Sequence, residues 1–217
     1  MSGKITVKGV GTAKTKPDFV YISLELNGLD KEYTAAVNKA NEKIEKLQNA
    51  LSAVGYAKDD LKTLNFGATT EYDYVQKNGR NERVFRGYNS SYSLRLGFDF
   101  TAEALAKTLT AIANSGADAE FSIRFTVKEP EKISEALLVS ATENARKKAE
   151  ILCKASGKTL GELVSVDYNW SEISVHSESE YVLAAAPRMM KMDAAVPEFT
   201  PDDINSSDSV TFVWEIL

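Results

Sequence analysis

The sequence predicts an α+β protein of two packed α/β units, with mixed or antiparallel sheets, three helices and one long hairpin. Three observations carry this. Apolar residues alternate with period two over residues 19–26. They recur at three- and four-residue steps in three other segments, and an Asn78-Gly79 pair stands between two strand-like runs. Helices interspersed among hairpins argue against a doubly wound parallel sheet.

Residues 5–13 read as the first strand, weakened at Gly9 and Gly11, and Lys16-Pro17-Asp18 as a turn. Over 19–26, Val20, Ile22, Leu24 and Leu26 share one face of a half-buried strand. Val37, Ala40, Ile44, Leu47, Leu51 and Val54 then mark an amphipathic helix of about 24 residues, with Gly55 beyond its end.

Residues 64–74 and 83–98 form the hairpin. A two-residue turn at Asn78-Gly79 sets Tyr72 opposite Phe85, Tyr74 opposite Arg83 and Glu71 opposite Arg86, pairings that suit a ladder. Ala102–Asn114 is a shorter helix ending near Gly116, and 120–128 a strand. Pro130 suits the first turn of a third helix running to about Ala155 and followed by Gly157. Its small residues Ala136, Ala141, Ala145 and Ala149 predict close packing. Strands over 163–170 and 210–217 complete the chain. The expected organisation is a main unit of 1–65 with 130–217, a second, ferredoxin-like unit of 66–129, and an acidic flexible loop over 171–207.

One histidine and one cysteine in 217 residues remove most catalytic chemistry. A Ser-His-Asp or Cys-His centre needs a rigidly held imidazole, and His176 lies in a polar, irregular stretch. Zinc sites need three or four His or Cys ligands. No phosphate-binding loop, dinucleotide fingerprint or metalloprotease helix is present, and no cofactor is implied. The net charge of −5 argues against a nucleic-acid partner. Seven acidic and two basic residues in 171–207 account for all of it. A lone Cys153 forms no internal disulfide, and no stretch approaches the ~20 apolar residues that span a bilayer. With no apolar leader ahead of the first strand, the expectation is a cytoplasmic protein, the alternative being an exported one whose signal has been removed.

The candidate sites divide unevenly. His176 reads as a solvated histidine, Cys153 as a packed helix residue, and Asp59-Asp60 as a capped turn. Glu198, Asp202 and Asp203 match no cation-binding loop, and Asp202-Asp203 equally suits the turn after Pro201. Two interaction surfaces remain. One is the hairpin, with Tyr72, Tyr74, Arg83 and Phe85, because aromatic area with polar tips is typical of interfaces. The other is the run containing Met189, Met190 and Met192, apolar within an acidic segment.

The opening Ile5-Thr6-Val7-Lys8-Gly9-Val10-Gly11-Thr12-Ala13 through Pro17-Asp18 resembles the start of the SIMPL-domain family, a domain of unknown function. Asn38 and Asn41, Asp60-Leu61-Lys62-Thr63, Phe85-Arg86-Gly87-Tyr88, Ser115-Gly116-Ala117, Ala145-Arg146-Lys147-Lys148-Ala149 and Gly157 follow in the family's order. Pro201-Asp202 stands where the family has Pro-Gly. The resemblance extends to bacterial periplasmic members linked to immunogenicity and oxidative stress. It implies assembly into homo-oligomers and a setting in the cell envelope or a stress response. A eukaryotic member associates with a signalling kinase. No catalytic residue carries over, because none is established for the family.

The sequence therefore predicts a non-enzymatic protein acting by self-assembly and protein–protein contacts. The alternatives are a small-molecule binding protein with an apolar cavity between the third helix and the sheet, and a metal-assisted hydrolase.

Overall fold

A computed structural model of the chain describes residues 3–77, 80–168, 175–183 and 199–217. The elements run β1 (Gly3–Thr15), β2 (Phe19–Asp30), α1 (Tyr33–Ala53), β3 (Leu61–Lys77), β4 (Arg80–Asp99), α2 (Ala102–Asn114), β5 (Glu120–Thr126), α3 (Pro130–Ala155), β6 (Leu160–Asp167), β7 (His176–Leu183) and β8 (Ile204–Ile216), with a short 3-10 turn at Lys58–Asp60. The fold is α+β, with both sheets antiparallel. One sheet has the order β1-β8-β6 and the other β3-β4-β2-β5-β7.

Two compact units divide the chain. One comprises Met1–Pro17, Thr126–Glu178 and Pro201–Leu217; the other comprises Asp18–Phe125 and Ser179–Thr200. The sequence expectation drew the second unit at 66–129, whereas the contact division adds β2 and α1 to the hairpin.

In the unit containing Asp18–Phe125, the path β2-α1-β3-β4-α2-β5 with order β3-β4-β2-β5 is a split β-α-β arrangement, β4 lying between β2 and β3. The period-two pattern of β2 is realised fully. Val20, Ile22, Leu24 and Leu26 are buried with Leu47 and Leu51 of α1, Leu94 and Leu96 of β4, and Leu105, Leu109 and Ile112 of α2. Each such side chain contributes about 1.5–3 kcal/mol on leaving water. Phe125 is the largest fully buried side chain and meets the rings of Phe100 and Tyr181 edge-on.

In the other unit, α3 lies on the three-stranded sheet. Its buried stripe is Ile133, Leu137, Ala141, Ala145, Ala149 and Cys153, at unbroken four-residue steps. Ala136, expected inside, is exposed, because it falls off that stripe. Gly9 and Gly11 are seats for the helix rather than weak points in β1. A Cβ at Gly9 would stand 2.0 Å from the Ala141 carbonyl oxygen, and one at Gly11 2.0 Å from that of Leu137. Gly28 of β2 receives α1 in the same way, 2.3 Å from the Ala36 oxygen. Asn144 Oδ1 accepts the Val10 N–H at 3.0 Å, and Lys148 Nζ donates to the Lys8 carbonyl at 3.1 Å. Side chains of α3 thereby occupy backbone groups along β1.

Two further expectations are corrected. Within 171–207, β7 covers His176–Leu183 and β8 begins at Ile204 rather than at 210. Both stretches are rich in Ser, Glu, Asn and Asp, which have low strand propensity, but partner strands hold them: Ser206 and Asp208 of β8 pair with Ala13 and Gly11 of β1. Glu71 faces Gly87 and not Arg86, since a register shift between Glu71 and Tyr72 leaves Arg86 as an extra residue in β4. The turn residues Asn78-Gly79 lie outside the described residues.

Candidate interaction surface

The hairpin becomes an arm because its third strand stops. β2 pairs with β4 from Phe19↔Asp99 only as far as Asp30↔Tyr88. Beyond Tyr88, β3 and β4 continue as a two-stranded ribbon from Glu71↔Gly87 to Lys77↔Arg80. The root is tightly built. A Cβ at Gly87 would meet the Asp30 carbonyl oxygen at 2.5 Å, so the bulge brings β4 hard against the end of β2. Lys39 Nζ lies 2.7 Å from Asp30 Oδ2, and the Glu32 N–H donates to Oδ1 at 3.1 Å. The Lys39 hydrogen bond first, and the Glu32 backbone bond second, hold the Asp30 carboxyl below the usual carboxylate range.

The structure brings together the four hairpin residues singled out from sequence. Tyr72 pairs with Phe85 and Tyr74 with Arg83, as the turn chemistry predicts. The Tyr72 and Phe85 rings meet edge-on at 5.8 Å, Phe85 meets Tyr88 at 5.4 Å, and Tyr88 meets Tyr33 of α1 at 5.9 Å. The Arg83 guanidinium lies over the Tyr72 ring, 3.6 Å from its centroid. On the opposite face Arg86 approaches Glu71 at 3.5 Å and Asp73 at 3.8 Å. Surface ion pairs of this kind contribute about 0–1 kcal/mol each. Tyr74 is 72% exposed, and Val75, Val84 and Phe85 are each more than 40% exposed. A ribbon of two strands is at best marginally stable alone. This one presents apolar and aromatic area on both faces.

The alternation in 72–75 and 82–85 could have shown that Val75 and Val84 oppose the aromatic face, but sequence reasoning weighed only the tyrosines. The strand expected over 163–170 is β6, Leu160–Asp167, but sequence reasoning did not weigh it as a surface: it is an edge strand whose Leu163, Val164 and Val166 are 51%, 42% and 50% exposed. Met189, Met190 and Met192 lie outside the described residues.

The remaining candidates resolve locally. Cys153 is buried in the α3 stripe and His176 is exposed on β7. Asp60 Oδ2 accepts the Ala57 N–H at 2.8 Å, which is a capping role, and Asp203 pairs with Lys14 at 3.2 Å. Among the described residues no group of three His, Cys, Asp or Glu side chains is placed to hold a metal ion. Two tyrosines are perturbed. Burial pushes Tyr56 above its ordinary range, with its hydroxyl 2.6 Å from Thr108 Oγ1. Tyr168 is raised chiefly by its hydrogen bond to Asp208 Oδ2 at 3.0 Å. Beside Tyr56, a cavity of about 240 Å³ is lined by Val54 and by Thr101, Glu103, Ala104, Lys107 and Thr108 of the α2 end. Between α3 and its sheet, where the alternative reading places an apolar cavity, Ala141 and Ala145 lie directly against Gly9. Among the described residues no helix is long and apolar enough to cross a membrane.

Two antiparallel sheets, a split β-α-β unit and a helix seated on strand glycines define the class: an α+β protein whose exposed chemistry is aromatic and apolar strand surface. The chain belongs to the SIMPL family, described as protein of unknown function (DUF541), whose profile matches residues 5–214. It is similar to the uncharacterized protein YggE of Edwardsiella ictaluri, 24% identical over 212 residues that cover 98% of this chain and 86% of that protein. It is likewise similar to the uncharacterized protein YggE of Escherichia coli K12, 24% identical over 191 residues that cover 88% of this chain and 72% of that one.

Proposed function

We propose that this SIMPL-family protein acts without catalysis, through protein–protein contacts that include self-assembly, and that the arm formed by 71–77 and 80–87 is a principal contact surface. One observation carries the reading: the ribbon runs past the end of β2 with Tyr74, Val75, Val84 and Phe85 open to solvent. Contiguous apolar surface of this kind marks interaction sites. Edge strands left bare are templates for pairing. The aromatic ladder from Tyr33 to Tyr72 supports the ribbon from its base, so the arm is held ready rather than formed on contact.

The test is the solution mass of the full chain by light scattering across a concentration series, with Tyr74→Ser and Val84→Thr beside it. A discrete oligomer that these variants weaken, with unchanged circular dichroism, supports the proposal. An oligomer that neither variant alters removes the arm from it. Two places of action stand side by side, the cytoplasm and, by family resemblance, the cell envelope, and fractionation of cells expressing the native gene decides between them.

A further inference from the structure

Two strand edges stand open in different units, and their chemistry is complementary. In the arm, β4 over residues 80–87 pairs with β3 on one side and, among the described residues, has no partner on the side where β2 ends. In the three-stranded sheet, β6 pairs with β8 on one side and, among the described residues, bears no strand on the other. The β6 stretch is as long as the open stretch of β4. Residues 80–87 carry three arginines against one glutamate, net +2, while β6 carries Glu162 and Asp167 and no base, net −2. Each also holds exposed apolar side chains: Val84 and Phe85 on one, Leu163, Val164 and Val166 on the other.

We infer that β6 of one copy of this chain adds as a strand to the open β4 edge of the arm in a second copy. The occupant is a second copy because the chain itself carries both halves of the match. Laid antiparallel, the two stretches bring Val84 and Phe85 against Leu163 and Val164, and Arg86 against Glu162, with the extra residues of both strands, Arg86 in β4 and those flanking Leu163 in β6, falling within this same stretch. The alignment yields two apolar pairs and one arginine–carboxylate pair, combinations that stabilise cross-strand neighbours, and Arg86 would add Glu162 to its exposed contacts with Glu71 and Asp73. Backbone hydrogen bonds supply attachment, and the side-chain match supplies register. β6 paired with its own copy would instead bring four carboxylates and no base onto two neighbouring strands.

The contact joins two different surfaces, so it is heterologous. Each copy offers one β6 and one arm, so the contact builds a ring where the rotation between copies closes and an open chain where it does not. β1, the other edge of the three-stranded sheet, is the poorer template, because Asn144 and Lys148 already bond its backbone groups at Val10 and Lys8.

The inference rests on the reading that the chain self-assembles, and the experiment separates the two. Full-length protein is followed by light scattering across a concentration series, with circular dichroism as the folding check. Leu163→Lys with Val164→Lys places charge on exposed edge positions. It is expected to raise the concentration of half-assembly by roughly tenfold or more, as is Val84→Lys on the arm. If a lysine variant fails to fold, charge reversal decides alone: Arg86→Glu and Glu162→Arg each weaken assembly separately, and an equimolar mixture of the two restores it. Recovery on mixing requires the residues to meet between chains. Wild-type assembly untouched by all of these variants overturns the β6–β4 pairing and leaves self-assembly standing. A wild-type protein that stays monomeric at every concentration overturns both.

Discussion

Gly9 of β1 and Ala141 of α3 approach so closely that a single added methyl at Gly9 would lie 2.0 Å from the Ala141 carbonyl oxygen. The atom in the way is backbone, which cannot swing aside. Gly9→Ala is therefore expected to destabilise the protein by about 1–3 kcal/mol, outweighing the roughly 0.5–1 kcal/mol that alanine gains over glycine within a strand. Gly67 is the control, since its Cβ would meet only Ser91 Oγ at 3.4 Å, an ordinary contact. Urea unfolding of both variants checks this. A Gly9→Ala midpoint equal to wild type would mean that α3 is not seated on that glycine.

Phe125 is fully buried and closes a set of edge-on rings with Phe100 and Tyr181. Phe125→Ala removes both the transfer free energy and the packing, and is expected to lower stability by about 3–5 kcal/mol. A loss below about 1 kcal/mol in denaturant titration would show that the surrounding side chains collapse into the space.

Asp30 gives a pH signature. Its carboxyl is held below the ordinary value by Lys39 and Glu32, so it binds fewer protons folded than unfolded. The stabilisation is complete above the unfolded value near pH 3.9 and disappears as pH falls through the lower folded value. The stability gap between wild type and Asp30→Asn should be constant from neutral pH down to about 4, then close in acid. Added salt should narrow it, because the pair is exposed. A gap that does not change with pH would assign the effect of the substitution to something other than the charge.

Tyr168 has the opposite sign. Hydrogen bonding to Asp208 raises its phenol, so the interaction is present below the unfolded value near 10 and is lost as pH rises through the folded one. Ultraviolet titration of the tyrosinates should show late-ionising groups, Tyr56 among them, and one fewer of these in Tyr168→Phe. If the variant titrates like wild type, the Asp208 contact is not made in solution.

Where hydrophobic period and local turn chemistry agreed, the sequence was readable. Val20 to Leu26 of β2 and the α1 stripe of Ala40, Leu47 and Leu51 were visible as patterns, and Gly55, Gly116 and Gly157 all follow helix ends with positive φ. What escaped was whatever depends on a partner far along the chain. Residues 205–207 read as the end of the acidic loop because Asn and Ser carry no strand signal of their own, yet β1 pairs with every one of them. The bulge at Arg86 was invisible because ideal alternation offers no hint of an inserted residue; Gly87 against Asp30 is a tertiary contact. Of the candidate surface, Tyr72, Tyr74, Arg83 and Phe85 were legible because aromatic ladders leave a local trace. The β6 edge was not, since Leu163, Val164 and Val166 look like any buried strand until the sheet order places them at a margin.

Asn144 and Lys148 give β1 a margin unlike that of β6. At Val10 and Lys8 two backbone groups are already bonded to the protein's own helix, so a strand laid along β1 would have to displace both bonds before pairing there. Covering a margin from within is one of the ways natural sheets discourage edge-to-edge pairing. The helix that fills the core thereby also makes one margin of its sheet harder to extend than the other.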